Sequence, residues 1–193
     1  MNLSEFKNYM QNRPWAIQDL RYKEYELLRQ FINQTKPSKI CVLGGYTNID
    51  LFYACQDSHV DIINYDQCHD TAMMQTAHSK YKRDFNFQGT YHWYRETIAS
   101  INEIESCDLL IIAGHQDIIY EIKDMPEHLI LYHYGKMWLG ENIMHIHHKL
   151  SLTCLSNRLA LHTNKNIDLK NSNYTLEQHR NFFDVTPVTM MQS

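Results

Sequence analysis

No stretch of the 193 residues approaches the ~20 consecutive apolar residues that a membrane-spanning helix requires. The opening Met1-Asn2-Leu3-Ser4-Glu5-Phe6-Lys7 carries an acid and polar groups where a secretory leader has a basic cluster followed by an apolar run. A soluble, intracellular, cytoplasmic protein is expected. Basic charge is also short: 18 Lys and Arg against 22 Asp and Glu leave a net charge of -4, which argues against nucleic acid or an anionic membrane as partner. The five cysteines, Cys41, Cys55, Cys68, Cys107 and Cys154, are odd in number and widely spaced. With no C-x-x-C pair they suggest neither a disulfide framework nor a zinc knuckle, and a reducing compartment is the simplest reading. The chain has no G-x-x-x-x-G-K-[ST] loop and no G-x-S-x-G elbow, so phosphoryl transfer and serine hydrolysis each miss their minimum apparatus. No repeat, linker or low-complexity tract divides it, and 1–193 is read as one domain.

The apolar content, 44% with 12% aromatic, is enough for one well-buried core. Phe6, Tyr9, Met10, Tyr25, Leu28, Phe31 and Ile32 recur at helical spacing on either side of Arg13-Pro14, which predicts a short helix and then a longer one within 1–37. Lys36-Pro37-Ser38 stops the second. Lys39-Ile40-Cys41-Val42-Leu43-Gly44 then reads as a buried parallel strand that runs through a glycine turn into a helix over 48–55. Further strands are expected at 60–65, 90–94, 107–113 and 129–134, and further helices at 68–82, with Ala72, Met73, Met74, Ala77 and Tyr81 inward, and at 96–104, 118–122 and 139–148. The segments 150–155 and 158–163 flank Ser156-Asn157, a two-residue link suited to an antiparallel hairpin. Strands alternating with helices at this interval predict an α/β fold with a doubly wound, mostly parallel sheet over 38–163. Residues 164–193 form a C-terminal extension without strong pattern.

In such sheets ligands bind at the carboxyl ends of the strands, where strand order reverses. The strand exits are Gly44 to Asp50, Asp66-Gln67, Arg95-Glu96, Gly114 to Asp117 and His133 to Trp138. The segment Asp108-Leu109-Leu110-Ile111-Ile112-Ala113-Gly114-His115, together with the order of elements and the closing hairpin, resembles the class I S-adenosylmethionine-dependent methyltransferases over roughly residues 15 to 163. The resemblance implies a Rossmann-like, methyltransferase-type domain with S-adenosylmethionine as small-molecule cofactor. Gly44, Gly45, Asn48, Asp66, Gln67, Glu96 and Gly114 would contact it, and His115 and His133 would offer a general base, the acceptor entering near Trp138. The family's acid-x-Gly-x-x-x-Gly motif is incomplete, because its last glycine falls on Asn48 or Ile49 and its acid on Val42 or Leu43. Asn48 tolerates the left-handed backbone such a turn needs. Asp66 has two acceptor oxygens suited to the ribose diol, although it could equally cap the following helix.

Where metal-dependent members carry aspartates, this chain has Ala113 and His133, so no magnesium site is expected. Met144-His145-Ile146-His147-His148 offers only an i, i+3 histidine pair, without further ligands. Tyr91, Trp93 and Tyr94 offer an aromatic surface for adenine, or ordinary packing. The missing motif residues and the patternless 164–193 also support an alternative, a non-catalytic structural or assembly protein that has lost cofactor binding. Such a protein would be a viral structural component, in a particle such as a phage virion, with the tail as an arm on a protein partner.

Overall fold

The structure, a computed structural model, describes residues 1–12, 22–45, 47–66, 70–94, 103–113, 121–122, 124–132, 146, 149–155 and 159–170. The expected helix over 139–148, the Ser156-Asn157 link and the C-terminal segment from 171 onward lie outside those residues, apart from Ile146.

Two helices open the chain. Helix α1 (Leu3–Gln11) starts at Asn2 in a reciprocal capping box: the Asn2 side chain accepts from the Glu5 N–H at 3.0 Å and the Glu5 carboxylate accepts from the Asn2 N–H at 2.7 Å. It buries Phe6 and Met10. Helix α2 (Tyr22–Thr35) buries Tyr25, Leu28, Phe31 and Ile32, and ends at Lys36, whose φ of 50° turns the chain before Pro37.

Strand β1 (Lys39–Gly44) then enters the centre of a seven-stranded sheet made with β2 (Asp61–Tyr65), β3 (Thr90–Tyr94), β5 (Leu109–Ala113), β7 (His128–Tyr132), β8 (Leu152–Leu155) and β9 (Leu159–Thr163). The order is β3-β2-β1-β5-β7-β9-β8. The first five in that order are parallel. β9 runs antiparallel between β7 and β8, and the register shifts between Leu152 and Cys154. Strand order reverses between β2-β1 and β5, the switch point at which open α/β sheets bind ligands.

Alternation along the strands makes two cores. Ile40, Val42, Ile62, Ile111 and Ile130 face α1, α2, α3 (Ile49–Ala54) and α4 (Thr71–Asp84), with Phe6, Tyr25, Phe31, Phe52, Tyr53 and Tyr81 filling that layer. Cys41, Leu43, Ile63, Leu110, Ile112, Leu129 and Leu131 face the opposite way and pack with Ile104, Ile146 and Leu150. The two strand beginnings at the switch point are tied by Asp108, whose carboxylate accepts from the Ser38 N–H at 2.7 Å, the Ser38 hydroxyl at 2.5 Å and the Lys39 N–H at 3.1 Å. Partial burial raises the Asp108 pKa, but these donations outweigh it and leave the carboxyl below its ordinary value.

Three expectations need correction. Glu103–Ile104 closes no helix: it is a strand, β4, paired in parallel with β6 (Glu121–Ile122), so the ends of the helices expected over 96–104 and 118–122 are extended. In α4 the buried positions are Met74, Ala77, His78 and Tyr81, while Ala72 is exposed and Met73 half-buried. The i, i+3, i+4, i+7 stripe admits His78 and leaves Ala72 outside it. The aromatic residues of β3 do not form one surface, because Tyr91 lies against Phe52 with ring centroids 4.9 Å apart and Tyr94 against Tyr65 at 5.5 Å on the other face.

Candidate functional site

The β1-to-α3 turn is built from left-handed backbone. Gly44 has φ 85°, Gly45 φ 87° and Asn48 φ 50°, so glycine and asparagine occupy the positions where other residues would be strained. A Cβ on Gly45 would collide with the Asn48 side-chain oxygen. Asn48 is the N-cap of α3 by backbone, since its carbonyl accepts from Leu51 and Phe52 at 3.0 and 3.1 Å, but its side chain does not cap the helix. Its amide donates instead to the Tyr91 hydroxyl on β3, at 2.9 Å. Asn48 therefore closes the turn and fastens it to a strand two places away in the sheet.

Below this turn lies a polar layer that sequence reading missed. Asn64, the fourth of the five residues of β2, is fully buried, and Asp50 in the first turn of α3 is 2% exposed. The Asn64 amide is within electrostatic reach of the Tyr91 hydroxyl without making a well-formed hydrogen bond. Burial pushes the Tyr91 phenol up, and the Asp66 and Asp50 carboxylates push it the same way against the hydrogen bond from Asn48, so Tyr91 stays protonated. Burial, with Asp50 adding to it, likewise keeps the Cys55 thiol protonated. The buried Thr47 hydroxyl has no hydrogen-bond partner among the described residues, which leaves a polar group inside the turn to be satisfied. The signal available in sequence was a polar residue inside an apolar strand, Ile62-Ile63-Asn64-Tyr65, and an acid directly after Ile49.

Asp66 immediately follows β2, half-buried, its N–H donating to the Tyr94 carbonyl at 3.2 Å. It is not the cap of the next helix. Asp70 takes that place, its side chain accepting from the Met73 N–H at 2.9 Å. The structure therefore brings Gly44, Gly45, Asn48 and Asp66 to the carboxyl ends of the neighbouring strands β1 and β2, with Ala113 closing β5 beside Gly44 in register. Gln67, Glu96, Gly114, His115, His133 and Trp138 lie outside the described residues. In sequence, His115 stands two positions past β5 and His133 one past β7.

No group of three or more His, Cys, Asp or Glu side chains is placed to hold a metal ion among the described residues. No helix among them is long and apolar enough to cross a membrane.

No protein-family model matches the chain, and no curated protein matches it in sequence. Among solved structures, the chain is similar to the SAH-bound Podospora anserina methyltransferase PaMTH1, with a TM-score of 0.52 at 9% identity over 85% of this chain and 88% of that one. A TehB-like SAM-dependent methyltransferase from Corynebacterium glutamicum gives a TM-score of 0.44 at 15% identity, covering 84% and 98% of the two chains. YjhP from E. coli gives 0.44 at 11% identity over 60% of this chain, which spans half of that protein's length. At such identities the likeness extends to the fold alone. With the strand order and the antiparallel β9 in place, the chain has a mostly parallel, Rossmann-like sheet of the methyltransferase type.

Proposed function

We propose that the protein binds S-adenosylmethionine at the carboxyl ends of β1 and β2 and transfers its methyl group to an acceptor. The observation that carries this reading is the left-handed Gly44-Gly45-Asn48 turn at the switch point beside an Asp66 not used as a helix cap. The residues fit the cofactor in two respects. Gly44 puts no side chain at the end of β1, so a ligand can approach its backbone closely, and the Asp66 carboxylate can accept from both hydroxyls of a ribose diol. Bound there, the cofactor supplies an electrophilic methyl group on a sulfonium centre. The chain's part is largely positioning of the acceptor in line with that methyl, with His115 or His133 taking the acceptor's proton and Gln67, Glu96 and Gly114 completing the cradle.

One observation favours a second reading. The Asn48 side chain covers the Gly45 Cα where the family's motif has glycine, and this suits a non-catalytic assembly protein that keeps the fold without the cofactor, with 164–193 docked on a protein partner. Calorimetric titration of the purified protein with S-adenosylmethionine separates the two. Saturable binding in the micromolar range supports the first reading, and no heat at about millimolar cofactor, a limit of roughly 4 kcal/mol of binding free energy, supports the second.

A further inference from the structure

Away from the glycine turn, α4 and the strand β3 line an open cleft of about 300 Å³. The helix contributes Gln75, His78, Ser79 and Lys82, an i, i+3, i+4, i+7 stripe, and the strand contributes Tyr91 and Trp93. His78 is 8% exposed, its ring 4.4 Å from that of Tyr91 and 6.2 Å from that of Trp93. Among the described residues neither the His78 Nε2 nor the Trp93 Nε1 has a hydrogen-bond partner, although both are buried. Two ring nitrogens left unsatisfied beside one cavity are costly to an empty protein unless something polar meets them.

The chemistry of the lining selects what that is. Trp93 Nε1–H, the Ser79 hydroxyl, the Gln75 amide and the Lys82 ammonium are donors, and among the described residues no carboxylate lines the cavity. Among the described residues Lys82 is the single lysine or arginine of the lining, and His78, Tyr91 and His92 are the other titratable groups there. One fixed positive charge matches a monoanion better than the dianion of a phosphate ester, for which a bidentate arginine or a second cation would be expected. The indole, phenol and imidazole rings supply flat apolar walls for a planar group, and the volume is at the lower limit for ligand pockets.

We propose that the α4–β3 cleft is a binding site for a small planar organic monoanion, of the aromatic carboxylate class, its ring against Tyr91 and Trp93 and its carboxylate on Lys82, with a small turn of the two rings bringing the buried His78 Nε2 and Trp93 Nε1 to the ligand. It lies apart from the cofactor reading and stands whether or not S-adenosylmethionine binds. The two regions share one residue: the Tyr91 ring forms a wall of the cavity while its hydroxyl holds Asn48 in the glycine turn.

The test is a nuclear magnetic resonance titration of the full chain with sodium benzoate, following the Trp93 indole N–H signal, identified by its loss in Trp93→Phe. The expected result is a saturable shift with benzoate, a weaker response to acetate and none to benzylammonium. Lys82→Gln, at an exposed position, should fold normally and weaken benzoate by about tenfold, as loss of one charge-assisted contact implies. His78→Phe should weaken it similarly. Absence of a saturable Trp93 shift up to about 10 mM benzoate, an equal response to benzylammonium, or unchanged affinity in Lys82→Gln would each overturn the proposal.

Discussion

Gly45 is constrained twice, by a φ of 87° and by the Asn48 side chain lying over its Cα. Gly45→Ala therefore has to move Asn48 off the Tyr91 hydroxyl as well as adopt left-handed backbone. A loss of about 2 kcal/mol in unfolding free energy is expected in urea titrations, where a surface Gly→Ala change would cost almost nothing. His78 makes a pH-dependent contribution. Burial lowers its pKa to about 4, while the unfolded imidazole takes up its proton near the ordinary value of about 6.5. Its neutral form is thus fully compatible with the fold above pH 6.5, and stability falls as pH drops from there toward 4, by at most about 3 kcal/mol, with no further loss from this group below that. In His78→Phe, the difference in unfolding free energy between pH 7 and pH 4 should shrink by that amount. An undiminished pH dependence in the variant would place the titration elsewhere.

Among the elements, the strands β1, β2, β5 and β7 were legible in sequence because each is a short apolar run bounded by polar or turn residues, and a strand covered on both faces needs no alternation. The two-residue strands β4 and β6 were not legible. Each exists only by pairing with the other across an intervening segment, and local periodicity carries no trace of such a contact. The same limit hid the burial of Asn64 and Asp50, which lie 0% and 2% exposed although the sequence places them only within a strand and at a strand exit. Asp108 has an architectural role. It lies in the segment that carried the family resemblance, yet it ties the amino ends of β1 and β5, at the opposite end of the strands from the proposed cofactor site. Asp108→Ala should lower stability by about 2 kcal/mol without changing cofactor affinity. Its carboxyl titrates below the ordinary range, so the stabilisation is present above the unfolded value of about 3.9 and is lost as pH falls through the folded one. Urea unfolding of the parent and variant at pH 7 and pH 3 measures both effects, and a constant difference between them would contradict this assignment.

For the molecule as a whole, helix and strand alternation predicted a doubly wound sheet, but the order β3-β2-β1-β5-β7-β9-β8 follows from pairings between distant segments. That order brings Gly44, Gly45 and Asn48 next to Asp66, which are 22 positions or fewer apart in sequence and become neighbours only because β1 and β2 pair in parallel. Of the site, the glycine turn and Asp66 were readable as residue types at strand ends, whereas the anchoring of Asn48 by Tyr91 depends on the tertiary fold. The central claim is that Asp66 holds the ribose of an adenosyl cofactor beside this turn. Calorimetric affinity for S-adenosylhomocysteine, compared between the parent protein and Asp66→Asn, tests it directly. The expected result is measurable binding to the parent that weakens by about tenfold or more in Asp66→Asn, as loss of a charged acceptor implies. Binding of equal strength in both, or none to the parent, would contradict it.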